Sequence, residues 1–90
     1  MIADKTQEAL IILQEECAEV IQAASKIYRF GLDNEHKSGT TQRANLEMEI
    51  GDMLALVDIL AEQGIIDLNN INIANTNKKE KLKKWSRLYE

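Results

Sequence analysis

A chain of 90 residues supplies a single domain, expected to span 1–90, and one this short buries only a modest fraction of its surface alone, so a partner chain is expected. With aromatics at 4% and no proline, beside a 44% apolar share, the composition argues against a sheet sandwich and for an all-α fold. A net charge of −4 and a pI near 5.0 exclude nucleic-acid binding driven by overall charge, although Lys78, Lys79, Lys81, Lys83, Lys84 and Arg87 crowd the last thirteen positions.

In chain order, Asp4 is expected to cap a first helix, with Gln7 reaching back to it. The run Leu10, Leu13, Cys17, Val20, Ala24, Tyr28 carries that helix to Phe30, and Gly31 ends it. Cys17, the one cysteine, is expected as a packed thiol; it cannot form an intramolecular disulfide, which fits a reduced, cytoplasmic location. Residues Gly31 to Thr41, including the lone His36, have the composition of a loop. A second helix should begin between Thr41 and Asn45, carry Leu46, Ile50, Met53, Leu54, Val57, Leu60 and Ala61 as its apolar stripe, and stop at Gly64. Asp67 is placed to cap a third helical region with Leu68, Ile71 and Ala74, then Leu82, Trp85 and Tyr89. The polar interval from Asn75 to Lys81 leaves open whether that region is one helix or two. Asp58 and Glu62 interrupt the longest apolar stretch and no signal-peptide pattern opens the chain, so no membrane association is expected.

Four acids intrude on two of these apolar arcs. At about 100° per residue, Glu16 and Glu19 share an arc with Ile12, Val20, Ala23 and Ile27, while Glu49 lies within about 40° of Met53, Leu56 and Leu60, with Asp52 close by. Unpaired carboxylates are costly to bury; they are protonated, or find cations, or lie on faces that stay wet. An i, i+3 pair aims both carboxylates from one helix at one place, and two such pairs on facing helices offer enough oxygens for a hard divalent cation. Without His or Cys at those positions, Mg²⁺ fits better than zinc, and Mn²⁺ can substitute. Glu15, Glu47, Asp58 and Glu62 fall off the arcs and read as surface charge. Lys26 lies two turns after Glu19, with no acid one turn away in sequence, and Arg29 follows; both are candidates for holding anionic oxygens. If the third region is one helix, Asn75 and Lys78 join the stripe of Ile71, Leu82 and Trp85 and could meet phosphate. Trp85 and Tyr28 are expected in the core or an interface rather than stacked on a base.

Three stretches carry a resemblance: Glu15-Glu16-Cys17-Ala18-Glu19-Val20-Ile21-Gln22-Ala23, Ser25-Lys26-Ile27-Tyr28-Arg29-Phe30-Gly31, and Leu46-Glu47-Met48-Glu49-Ile50-Gly51-Asp52. In these the chain resembles the MazG-like all-α nucleoside triphosphate pyrophosphohydrolases over nearly its whole length, above all the short single-domain members of phage and bacterial genomes. That family's E-x-x-E followed by E-x-x-D corresponds here to Glu16 with Glu19 and Glu49 with Asp52. The resemblance implies that these four bind Mg²⁺, with Glu16 or Glu19 as general base, and that a triphosphate is split between its α and β phosphates. Three amphipathic stripes too extensive for one small monomer predict a helical hairpin plus a C-terminal helical region assembled at least as a dimer, two hairpins making a four-helix bundle, and the resemblance permits a homodimer or a homotetramer. Lys26, Arg29, Asn75 and Lys78 are the expected substrate contacts, Asn75 and Lys78 matching the family pattern only loosely. The 29 residues between the motifs stand at the long end of the family's spacing, which gives the 31–41 loop an elaborated form. Base preference would depend on Gln22, Asn45, Asn75 and that loop. A deoxynucleoside triphosphate is the expected substrate, in nucleotide-pool control or housecleaning; phosphoribosyl-ATP is the alternative substrate, and a non-catalytic helical adaptor the alternative class.

Overall fold

The computed structural model describes residues 3–35 and 39–90; His36 lies outside them. Three helices follow one another, α1 (Asp4–Phe30), α2 (Gln42–Glu62) and α3 (Leu68–Trp85), and the described residues contain no strand beyond a single bridge between Glu35 and Thr41. The all-α expectation and the three-element order hold. Among the described residues no helix is long and apolar enough to cross a membrane.

Helices α1 and α2 form an antiparallel hairpin, the only extensive helix–helix packing among the described residues. The α1 side is lined by Ala9, Ile12, Glu16, Val20, Ala23 and Ile27 at spacings of three and four, and the α2 side by Gln42, Asn45, Glu49, Met53, Leu56 and Leu60. Ala9 and Ala23 are small enough to let the helix axes approach. The core proper is Ala9, Leu56 and Leu60, flanked by Leu10, Ile12, Leu13 and Ile66. At the open end the Thr6 hydroxyl donates to Gln63 Oε1 at 3.1 Å.

At the closed end Gly31 stops α1 with φ 91°, a left-handed conformation that favours glycine, and its N–H still reaches the Ile27 carbonyl at 2.8 Å. The loop then satisfies the first four N–H groups of α2. Gln42 N–H donates to the Asn34 carbonyl, Arg43 N–H to that of Leu32, Ala44 N–H to the Thr41 hydroxyl and Asn45 N–H to the Thr41 carbonyl. Arg43 also grips Asp33 through both carboxylate oxygens, at 3.1 and 3.2 Å. The loop base is therefore an ordered N-terminal cap for α2.

Some local expectations change. Ala3, not Asp4, occupies the N-cap of α1, without a side-chain cap bond, and Asp4 instead sits in the first turn, where its charge favours the helix N-terminus. Cys17, Ala24 and Tyr28 are exposed; the buried face of α1 is rotated from the run that contains them, because α1 carries apolar residues on two adjoining flanks and α2 covers one. Trp85 is 83% exposed and Tyr28 93% exposed, so neither belongs to this chain's core. The third region is one continuous helix, capped by the Asp67 carboxylate, which accepts from Asn69 N–H at 2.8 Å.

Candidate functional site

The hairpin brings the two acidic motifs together because Glu16 lies midway along α1's buried stripe and Glu49 midway along α2's. Carboxylate oxygens of Glu16, Glu49 and Asp52 all lie within 4.8 Å of one another, with Glu16 and Glu49 half-buried and Asp52 exposed. Glu19, one turn on from Glu16, is exposed and outside this group of three, although its charge is felt there. Partial burial first, then the charges of Asp52, Glu49, Glu19 and Glu15, push the Glu16 carboxyl above its ordinary value. Three oxygen donors at this separation, one at the solvent edge, suit a hard divalent cation that keeps part of its water shell.

The strain at this cluster gives a measurable consequence. A carboxyl whose pKa is higher in the folded chain than in the unfolded one holds a proton in the window between the two values. Stability is therefore fuller below that window and falls as pH rises through it. Glu16→Gln should thus raise the metal-free melting temperature at neutral pH, and the gain should shrink as pH falls toward the ordinary carboxylate value of 4.5. Added Mg²⁺ should stabilise the unsubstituted protein more than the variant. Calorimetric melts across pH read both effects, and a gain that stays constant with pH would trace to packing instead of charge.

The other expected contacts are distributed differently. Lys26 is half-buried on α1 and engaged in an interaction within the chain, so the lack of a neighbouring acid in sequence does not leave it without a partner. Arg29 is exposed, its guanidinium 5.2 Å from the centre of the Phe30 ring. Asn75 and Lys78 stand exposed on α3, which buries none of its residues and is not packed along the hairpin. Gln22 is exposed, whereas Asn45 is buried between the helices, away from a role as an open recognition group. Sequence reasoning missed two polar groups. Gln42 is buried at the start of α2 with its Oε1 unbonded, and Arg43 is committed to Asp33. The signal for the second was an acid and an arginine on either side of a glycine-containing loop; for the first there was none.

A family model described as the MazG nucleotide pyrophosphohydrolase domain matches residues 5–86. No match was found among curated proteins or among solved structures. The matched span contains both acidic motifs, the loop and all of α3.

Proposed function

Because the chain belongs to the MazG nucleotide pyrophosphohydrolase family, we propose that it hydrolyses a nucleoside triphosphate, in the first instance a dNTP, between the α and β phosphates. The observation that carries this reading is the convergence of Glu16, Glu49 and Asp52 from two helices. Mg²⁺, with Mn²⁺ as a substitute, would be held by these three together with Glu19, and when bound would supply the positive charge that neutralises a triphosphate.

The chain's own groups account for the rest of the chemistry. A carboxylate of the cluster, Glu16 or Glu19, accepts a proton as a water oxygen attacks the α-phosphorus. The bond from that phosphorus to the bridging oxygen breaks, and pyrophosphate leaves with the electron pair. Glu16 is half-buried and its carboxyl is raised above its ordinary value by partial burial and the neighbouring acids, which makes it a stronger proton acceptor than a free carboxylate; Glu19 is exposed and can turn toward the water. Lys26 and Arg29, two and nearly three turns beyond Glu19 on α1, are the contacts proposed for anionic oxygens, Lys26 by exchanging its present partner for phosphate; Asn75 and Lys78 are the further contacts proposed from α3, which is not packed along this hairpin. Nucleotide-pool control or removal of damaged nucleotides is the role such an activity would serve in the cytoplasm.

Incubation with a panel of ribo- and deoxynucleoside triphosphates and Mg²⁺, with ion-exchange separation of products, should yield monophosphate and pyrophosphate from at least one. Diphosphate with orthophosphate would move the attack to the γ position and overturn the mechanism. If calorimetric titration also finds no binding of Mg²⁺ or Mn²⁺ with a nonhydrolysable triphosphate present, a helical adaptor becomes the better reading.

A further inference from the structure

Among the described residues one buried side-chain atom has no hydrogen-bond partner, Oε1 of Gln42. Gln42 is 4% exposed, and a carbonyl taken out of water without a donor is costly to hold. Its place in the hairpin follows from the register. Ala9 shares the core with Leu56 and Leu60, and seven residues on along α1, Glu16 meets Glu49 and Asp52. Another seven along α1 and seven back along α2 set Ala23 opposite Gln42 and Asn45. Ala23 is buried and small, so two amide side chains occupy a part of the interface that aliphatic pairs fill toward the open end. The capping of α2 uses neither amide. Loop carbonyls and the Thr41 hydroxyl already accept from the first four N–H groups of that helix, which leaves no anion site there.

The unpaired atom limits what can complete it. Oε1 only accepts, and the oxygens of a metal-bound triphosphate carry no proton to give. The donors on a nucleotide are the sugar hydroxyl and the N–H groups of the base. Distance separates these. Counted back from Glu49 along α2, Asn45 is one turn and about 6 Å away, and Gln42 two turns and about 10 Å. With the α-phosphorus at the acid cluster, the first interval is spanned by the sugar and the second reaches the base. Access is at the helix end. Gln42 is the first residue of α2, beside the loop, and its three side-chain torsions can carry the amide outward. Turning out breaks no hydrogen bond at Oε1, whereas a bonded acceptor would resist it. We propose that Gln42 reads the nucleobase, its Oε1 accepting from an amine or imide N–H on the base edge while the α-phosphate lies at Glu16, Glu49 and Asp52. The placing of the phosphate rests on the reading under Proposed function; the unpaired amide does not. A site that hydrogen-bonds its ligand rejects an analogue without the donor, because the acceptor is then left buried and unpaired again.

Gln42→Met keeps the unbranched length of the side chain and removes both hydrogen-bonding atoms; Gln42→Leu is the second variant should Met pack poorly. Across the four dNTPs, the spread in kcat/KM between best and poorest substrate should shrink by at least about 10-fold, through a raised KM for the best one. The metal-free melting temperature should rise, because the buried unpaired acceptor is gone. Binding supplies a readout free of hydrolysis. In Mg²⁺, one of the four 2′-deoxynucleoside 5′-monophosphates should raise the melting temperature of the unsubstituted chain more than 2-deoxyribose 5-phosphate does, and the variant should lose that difference. An unchanged spread and unchanged shifts in a folded variant, as a fixed buried water at Oε1 would give, overturn the role of Gln42 and leave the reading under Proposed function intact. Equal shifts from all four monophosphates and from the baseless sugar phosphate, in the unsubstituted chain, overturn it outright. If no triphosphate is cleaved but the base-dependent shift exists and vanishes in the variant, Gln42 still reads the base and the reading under Proposed function fails.

Discussion

Glu49→Gln should lower kcat/KM by roughly 100-fold or more while leaving the helix content unchanged. Loss of an outer partner of a metal ligand already costs about 10–100-fold, and Glu49 would be a ligand itself. Gln keeps the size and one acceptor oxygen of Glu but removes the charge. It therefore weakens the hold on a divalent cation without emptying space between the helices. Glu49 is half-buried and faces Glu16 and Asp52 within 4.8 Å, so its charge repels both in the metal-free protein. Removing it should leave the metal-free melting temperature equal to or above that of the unsubstituted chain. Product release measured by chromatography and melts with and without Mg²⁺ read the two halves of the expectation. Loss of activity with loss of folding would make Glu49 a structural residue, and retained activity would remove it from the site.

The acid cluster was legible in the sequence because helical periodicity alone fixes which face each acid occupies, and both motifs fall on faces that also carry buried aliphatics. Periodicity does not say which of two adjoining flanks another helix covers. This is why the run through Cys17, Ala24 and Tyr28 was expected inside and is found exposed, while Ala9 and Ala23, too small to stand out in a hydrophobic pattern, prove to be where the helices close. Turn residues read well where the chemistry is local: Gly31 at positive φ, Thr41 and Asp67 as caps. Arg43 with Asp33 spans ten positions and no periodic rule reaches it. The continuity of α3 through six poor helix formers was undecidable from propensity, since what holds such a helix together is its packing and not its composition.

Leu60→Ala should be the most destabilising single truncation of the hairpin. Leu60 is 2% exposed, the most deeply buried large side chain among the described residues, in a core it shares with Ala9 and Leu56, so deletion leaves a cavity that few neighbours can fill. Buried Leu-to-Ala changes cost about 2–5 kcal/mol, a large part of the roughly 5–15 kcal/mol available to a small domain. For a chain of this size the melting temperature should fall by about 10–20 °C. Ile21→Ala supplies the contrast. Ile21 is 70% exposed within the single chain, and if that were its environment in solution its truncation should cost less than about 0.5 kcal/mol. If Ile21→Ala instead approaches the cost of Leu60→Ala, and does so only above the concentration at which chains associate, the outward flank of α1 is also covered by another copy. Urea titrations at two protein concentrations separate these cases: the penalty for Leu60 should be present at both, and a Leu60→Ala variant within 0.5 kcal/mol of the unsubstituted chain would show that the hairpin core lies elsewhere.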